Sequence, residues 1–445
     1  MSLRSLYKSY YFTQRFYAVG AAIALLFAVS FWVPVVEELA KICLACWLIV
    51  MVFDVVLLYA ASSITAERSC TDRFSNGDEN KVSITIKNNY AFNTDAVLID
   101  ELPVQFQERN WYRSLQLPAR GEATVTYTLQ PFERGEYTFG NILVLVTSPL
   151  QLVKRKYTIP AEKVVAVYPS YIQMRRFSLQ GVSNELQETG SNQLRKQGQS
   201  VEFEQIKEYV RGDDYRTINW KATARKGQLM VNTFVDERSQ QVYCLVDKSR
   251  SMKMPFGGLT LLDYAINASL VLTNVALQKQ DKAGLLTFAQ KIDTFINADK
   301  KPAQMELVLE ALYRQQTKFL DPDYETLYAY LRNRVKHRSL LVLFTNFESL
   351  YSLQRQMPYL KKISSYHLLV VVFFENTEIS SLLQKDATNT EEIYIQTIAE
   401  KFAFEKRQMV KELSQQGIPA LLSAPENLTV NALNKYLEIK ARQMI

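Results

Sequence analysis

The chain has 445 residues, 48% of them hydrophobic, and a net charge of +7; that is long enough for two or three domains with an ordinary core. The basic excess is spread out, with no Lys/Arg block that would wrap a duplex, so it reads as solvated surface with some attraction to an anionic membrane face. The 4 cysteines and 2 histidines (His337 and His367) argue against a disulfide framework, zinc chemistry and a His-based triad.

Tyr17 to Val36 carries no charge, and at about 1.5 Å per residue such a run spans roughly 30 Å, the hydrocarbon thickness. Glu37, Glu38 and Lys41 follow, and Ile42 to Ile64 is apolar again except for Asp54. The pattern predicts a transmembrane hairpin over residues 1–64, with spans about 17–36 and 42–64 joined by a short charged loop. A cleaved signal peptide is the competing reading, but no A-x-A-like site follows promptly and a second span does. Arg4, Lys8 and Arg15 precede the first span. The positive-inside rule then places the N-terminus and everything after about residue 64 in the cytoplasm, as a multi-pass protein of the inner cell membrane. An acid inside a span is a functional candidate by default. With no second intramembrane charge to form a relay, Asp54 reads instead as lying toward the cytosolic end, protonated or bonded to a neighbouring helix. Cys43-x-x-Cys46 has no strand before it and reads as small apolar filler.

Residues 65–170 change pattern. Val82 to Ile86 and Ala123 to Leu129 alternate with period two, and Asn141 to Val146 and Val164 to Val167 are further β-rich runs. Turn signals at Asn76-Gly77-Asp78, Asn88-Asn89, Arg120-Gly121 and Arg134-Gly135 separate them. Six or seven short strands are expected, in an all-β immunoglobulin-like sandwich serving as a spacer or interaction module. Ser178 to Ser200 is polar and aperiodic and reads as a linker within a region 171–240.

From 241 to 445, strands and helices alternate. Strands are expected at Gln241–Val246, Lys282–Phe288, Ile292–Ile296, Ser339–Thr345, His367–Phe374 and Ala420–Leu422. Helices are expected at Leu261–Gln278, Met305–Arg314, Thr326–Val335, Leu350–Ile363, Glu391–Gln415 and Val430–Arg442. Continuous apolar strands between amphipathic helices predict a Rossmann-like, doubly wound α/β sheet covered on both faces. Ligands of such sheets sit at the carboxyl ends of strands.

One motif falls at such an end. Asp247-Lys248-Ser249-Arg250-Ser251 directly follows the Cys244-Leu245-Val246 strand. D-x-S-x-S puts one carboxylate and two hydroxyls on one strand-to-helix turn, all hard oxygen donors suited to Mg²⁺. A metal-ion-dependent adhesion site works this way, leaving one coordination position for an acidic residue of a partner. The competing role of the same oxygens is helix capping, and both can hold at once. Such a site draws further ligands from two other loops: Thr317 is the candidate threonine. The loop after the Ser339–Phe344 strand, where an Asp is usual, reads Thr345-Asn346-Phe347-Glu348, so Asn346 keeps an oxygen without the charge.

The stretch from Val201 to Arg225 reads VEFEQIKEYVRGDDYRTINWKATAR. It resembles the signature of the bacterial domain-of-unknown-function 58 family, roughly E-F-x-x-x-R/K-E-Y-x-x-G-D-D-x-R-x-I-D/N-W-K-x-x-A-R. The likeness continues through Leu229, Val231, Phe234 and Glu237 into the D-x-S-x-S, and the hairpin and β domain fit it over nearly the whole chain. The resemblance implies a membrane-anchored protein with a von Willebrand factor A-like domain, encoded near MoxR-type AAA+ ATPases and other von Willebrand A proteins. Within the signature, Arg211, Arg216, Lys221, Arg225 and Lys226 face Glu204, Glu208, Asp213 and Asp214. Charges this dense suggest an ion-pair network with Gly212-Asp213-Asp214 as a turn, Arg216 paired to an acid and Trp220 in the core. As a surface instead, Arg211, Asp213, Asp214, Arg216, Lys221 and Arg225 would dock a partner.

These readings converge on a non-enzymatic, membrane-anchored adaptor that docks a protein partner. The alternatives are a Mg²⁺-dependent phosphoryl hydrolase using Asp247, or a purely structural envelope-assembly protein. Against the hydrolase, the chain has no P-loop, dinucleotide fingerprint or nucleophile elbow, and Gly257-Gly258 is not followed by Lys-Ser/Thr.

Overall fold

A computed structural model of the chain describes residues 9–60, 64–170, 202–210, 213–235, 239–317, 319–383, 389–442 and 444. Its contacts divide it into two units, Met1–Tyr168 and Pro169–Ile445. The linker expected over Ser178 to Ser200 lies outside the described residues, as do Arg211 and Gly212.

The first unit begins with strand β1 (Tyr10–Phe12), helix α1 (Gln14–Ser30) and helix α2 (Pro34–Ala60). The break between the helices falls at residues 31–33, not at the expected charged loop. The reason is Pro34: it has no N–H to donate to the preceding turn but fits the first position of a new helix. Glu37, Glu38 and Lys41 therefore lie inside α2, where Lys41 bridges Glu37 (2.8 Å) and Glu38 (3.1 Å) at helical spacing. Among the described residues, only Val35–Tyr59 is long and apolar enough to cross a membrane, by length and composition; α1, at 17 residues, is a shorter apolar helix.

The strands that follow are β2 (Ile64–Cys70), β3 (Arg73–Ser75), β4 (Asn80–Asn88), β5 (Thr94–Asp100), β6 (Tyr112–Leu117), β7 (Glu122–Leu129), β8 (Gly135–Phe139), β9 (Ile142–Thr147), β10 (Val153–Ile159) and β11 (Lys163–Tyr168). That is more strands than the turn signals suggested. They form the sheets β1-β10-β9-β5-β6, β2-β4-β7 and β3-β11-β8. The period-two alternation does what it predicts. Val82, Ile84 and Ile86 of β4 are fully buried in one core with Leu98, Val144 and Val146. Their neighbours point outward and pair hydroxyls across to β7, Ser83 with Thr126 and Thr85 with Thr124, each at 3.1 Å.

Asp54 requires a correction. Its partner is not a neighbouring helix: its fully buried carboxylate is received by the β9–β10 turn. Ser148 Oγ donates to it, as do the backbone N–H groups of Leu150 (3.4 Å) and Leu152 (3.3 Å). Four residues on, the carbonyl of Leu58 accepts from Arg155 Nη1 (2.6 Å) and Tyr90 Oη (2.9 Å). The β domain thus satisfies the carbonyl that the end of α2 leaves open.

In the second unit, β12 (Glu202–Glu208) and β13 (Met230–Val235) form an antiparallel hairpin around the short helix α3 (Trp220–Lys226). Then come β14 (Gln241–Asp247), a small hairpin of β15 (Pro255–Phe256) and β16 (Leu259–Thr260), and α4 (Leu261–Gln278). They are followed by β17 (Lys282–Phe288), β18 (Ile292–Asp299), α5 (Gln304–Tyr313), α6 (Tyr324–Arg334), β19 (Leu340–Phe344) and α7 (Leu350–Tyr366). The chain ends with β20 (Leu368–Phe374), α8 (Thr377–Leu383), α9 (Thr390–Gln415), β21 (Ala420–Ser423) and α10 (Leu428–Ala441). Most boundaries fall within a residue or two of the expected ones; α8 was not expected.

The main sheet has the order β18-β17-β14-β19-β20-β21, parallel except for the antiparallel edge strand β18. Each central strand feeds two cores. Val242, Cys244 and Val246 face the side covered by α4 and α10, while Tyr243 and Leu245 face the side of α6 and α7. This is why β14 reads as an unbroken apolar run. A Cβ on Gly284 would sit 2.5 Å from the Tyr243 ring, so the close approach of β17 to β14 needs glycine there. The sheet grows to one side from β14 through β17, and to the other through β19. The carboxyl ends of β14 and β19 therefore flank the crevice where the winding reverses.

Candidate functional site at the switch point

β14 runs into this crevice and delivers Asp247, which has no exposed surface. One carboxylate oxygen, Oδ1, accepts from the Ser249 N–H at 2.8 Å; the other, Oδ2, accepts from Thr345 Oγ1 at 2.7 Å. Thr345 is held in turn by Tyr324 Oη at 2.7 Å. Burial pushes the Asp247 carboxyl up to about 6 against the pull of those hydrogen bonds. Burial, and secondarily the neighbouring Asp247, also raises the Tyr324 phenol well above its usual value. Lys248, next in the chain, turns away: its ammonium pairs with Asp293 (2.5 Å) and Gln315 Oε1 (3.0 Å) and does not neutralise Asp247.

Next to the carboxylate, Ser249 Oγ and Ser251 Oγ lie 3.1 Å apart. That is a hydroxyl–hydroxyl hydrogen bond, at a separation that adjacent ligands of an octahedral Mg²⁺, about 3 Å apart, would also have. The rest of the expected set departs from it. Asn346 is engaged at both ends: its Oδ1 accepts from Lys406 Nζ at 2.7 Å, and its Nδ2 donates to the Ser251 carbonyl at 3.5 Å. The same ammonium bonds the Phe347 carbonyl at 2.7 Å, and burial lowers its pKa to about 8, with Glu348 opposing. Thr317 is half-buried and is not among the residues lining the crevice. Among the described residues, no group of three or more His, Cys, Asp or Glu side chains is placed to hold a metal. The oxygen donors present are Asp247, Ser249 and Ser251, each already hydrogen-bonded within the protein.

The crevice itself is about 190 Å³ and is lined by Ser249–Ser251, Asp321, Pro322, Tyr324, residues 346–348, and Tyr351, Ser352, Arg355 and Gln356 of α7. Arg250 bridges Asp321 (3.2 Å) and Glu348 (3.9 Å) across its mouth; all three are exposed, so the bridges add little stability. A second, more apolar cleft of about 290 Å³ shares Asn346 and Glu348 with it and is lined by Phe256, Phe374, Phe402 and Lys406.

Among the described residues of the signature region, one ion pair, Lys207 with Asp213, stands beside several local turn contacts. Asp213 accepts from Lys207 Nζ and from the Val210 N–H, each at 3.0 Å. Asp214 caps a 3-10 turn through the Arg216 N–H at 3.0 Å, and Asn219 caps α3 through the Ala222 N–H at 3.0 Å. These are local turn-forming roles. Arg216 lies over the Tyr215 ring instead of pairing with an acid, and Trp220 is 70% exposed rather than in the core. Lys221 and Arg225 are exposed and, like Arg216, make no ion pair among the described residues. The polar groups that the motif did not name are Thr345, Tyr324 and Lys406. Thr345 adjoins Asn346 at a strand end, a weak signal; Lys406 lies in the middle of a long helix, where nothing marks it.

The arrangement is that of a doubly wound α/β domain with a buried carboxylate and two hydroxyls at its switch point, accompanied by a β domain and apolar helices. Residues 205–410 match the family described as "Protein of unknown function DUF58". The match covers less of the chain than the motif resemblance suggested. The uncharacterized protein YeaD of Bacillus subtilis (strain 168) is 28% identical over 204 residues; the match covers 44% of this chain and 50% of that protein, so the chain spans about half the length of that relative. Among solved structures, the crystal structure of the CARDB domain of PF1109 from Pyrococcus furiosus covers 24% of this chain and 87% of its own, at 15% identity and a TM-score of 0.18. The solution structure of the same domain covers 23% and 93%, at 17% identity and 0.16. At such scores the β architecture rests on the strand pairing alone.

Proposed function

We propose that this chain is a membrane-anchored, non-enzymatic adaptor whose von Willebrand A-like domain docks a protein partner at the carboxyl ends of β14 and β19. In this reading α1 and α2 form a two-span hairpin in the inner cell membrane, the β domain and the α/β unit are cytosolic, and the β domain is an immunoglobulin-like spacer. The observation that carries it is Asp247: a buried carboxylate with its pKa raised to about 6, next to Ser249 and Ser251, whose hydroxyls lie 3.1 Å apart and line a crevice. A carboxylate kept without a cationic neighbour suits a site completed by something from outside. Asp247, Ser249 and Ser251 would hold Mg²⁺, whose charge supplies an attachment point for an acidic group of the partner. By the family resemblance that partner is a MoxR-type AAA+ ATPase, with other von Willebrand A proteins in the same assembly.

The test is co-purification from native membranes, wild type beside Asp247→Ala, each with Mg²⁺ and with chelator, and thermal unfolding to verify the variant's fold. An AAA+ ATPase recovered with wild type plus Mg²⁺ and lost in the other three samples supports the proposal. The same partners in all four would mean that the D-x-S-x-S only shapes the turn. Turnover of a phosphate ester that disappears in Asp247→Ala would turn the assignment toward a hydrolase.

A further inference from the structure

We propose that the β domain itself carries a lipid-contacting face, with the β9–β10 turn and strand β1 lying in the interfacial layer of the bilayer. Leu150 and Phe12 enter that layer, and Arg15, Lys154 and Lys156 meet anionic headgroups. The inference rests on α1 and α2 crossing a membrane, and it adds where the membrane surface falls on the folded protein.

Two independent anchors set the level. Thr13, the N-cap of α1, donates through Oγ1 to the Gln151 carbonyl (2.5 Å) and through its N–H to the Leu152 carbonyl (3.1 Å). Asp54 of α2 accepts from Ser148, Leu150 and Leu152 of the same turn. The two helices are thus pinned at one height by one five-residue turn, and β1 continues the attachment by pairing Tyr10–Phe12 with Val153–Arg155. At this height the surface is apolar: Tyr11 is 45% exposed, Phe12 39%, Leu150 43% and Val56 52%. A water-facing β-turn has no reason to collect such side chains.

The dimensions agree. The 17 residues of α1 reach about 25 Å, against a hydrocarbon core of about 30 Å. A membrane boundary drawn any deeper than Thr13 leaves α1 too short to cross. The residues flanking it on both sides must therefore sit in the interfacial layers. Both flanks are aromatic, as interfacial belts are. On one side Phe12 stacks on Phe16 with ring centres 3.9 Å apart, and Phe16 lies 4.7 Å from Trp47. On the other, Phe31 and Trp32 are 85% and 77% exposed in the turn between the helices. The charges near the turn suit an anionic surface. Asp54 is buried and fully hydrogen-bonded, and Asp95 accepts from Gln151 Nε2 (3.4 Å). Arg15 is exposed and Lys154 and Lys156 half-buried, so their long side chains can extend to phosphates.

The test uses the full chain reconstituted in phosphatidylcholine–phosphatidylglycerol vesicles containing lipid brominated on the upper acyl chain. Leu150→Trp adds one fluorophore to the 4 native tryptophans, and the added emission is read as the difference from wild type. Val104→Trp is the comparison: Val104 is 86% exposed, and the β5–β9 register, Ala96 with Val146 and Asp100 with Ile142, puts its loop at the opposite end of the sheet. The expected result is that most of the emission added at 150 is quenched and that added at 104 is not. Equal quenching at both positions, or none at 150 in protein that stays with the vesicles after an alkaline wash, overturns the lipid-facing surface and leaves the anchor standing. Protein washed off the vesicles overturns the anchor and this inference together.

Discussion

Two buried carboxylates, one in each unit, are treated very differently. Asp100 of the β domain accepts from the Arg68 guanidinium, itself buried, and from the Tyr127 hydroxyl, which closes a charge-neutral cluster. Asp247 of the α/β unit receives a serine N–H and a threonine hydroxyl and no cation, while the lysine beside it is committed elsewhere. A buried charge is costly unless it is paired. The first arrangement resolves that cost within the fold; the second leaves it for an external cation or partner. Asp281 sides with Asp100, through Lys440 (2.7 Å) and Tyr436 (2.5 Å), whereas Asp54 is held by one hydroxyl and two backbone N–H groups of a turn inside its own unit.

Breaking the closed cluster should have the largest effect. Asp100→Ala strands the Arg68 guanidinium, and removing one partner of a buried pair costs about 3–5 kcal/mol; chemical denaturation should register it as a lost or strongly lowered transition. Asp247→Asn should do the opposite at pH 7, raising stability by about 1–3 kcal/mol because a charge held with a raised pKa is removed, while abolishing partner capture. The pH dependence has a definite sign. The folded carboxyl titrates near 6, above its unfolded value, so the folded state binds more protons between about pH 4 and 6 and stability falls as pH rises through that window. The Asn variant should lack that component, and Mg²⁺ should reduce it in wild type by favouring the ionised form.

Smaller effects sharpen the same contrast. If Lys406 keeps the site weak by engaging Asn346, the pair Asn346→Asp and Lys406→Met should tighten Mg²⁺ binding by about tenfold, roughly 1.4 kcal/mol, measured calorimetrically on the full chain. An unchanged affinity would separate Asn346 from the metal question. Trp220→Ala should be nearly silent, within about 0.5 kcal/mol, as expected of an exposed side chain. A large loss there would mean that the signature face is covered in the functional assembly.

The α/β unit was legible nearly element by element because parallel strands buried on both faces read as solid apolar runs between helical periods, as Gln241–Asp247 and Leu368–Phe374 do. The D-x-S-x-S could be placed at a strand end for the same reason. The helix break was misplaced because apolar content says where lipid is tolerated, whereas the break is set by Pro34. In the signature, sequence density by itself does not separate charges that pair, as Lys207 and Asp213 do, from charges that cap turns, as Asp214 does.

Local periodicity and turn chemistry, then, determined the order of elements, the β character of the middle region and the position of Asp247. Tertiary structure alone decided which long-range partner each polar group would find. Strand β1 pairs with β10 from the far side of both helices, Asp54 enters a turn almost a hundred residues away in sequence, and Lys406 reaches back to Asn346. Such contacts carry no periodic signal, because a hydrogen bond constrains two atoms in space and leaves the residues between them free.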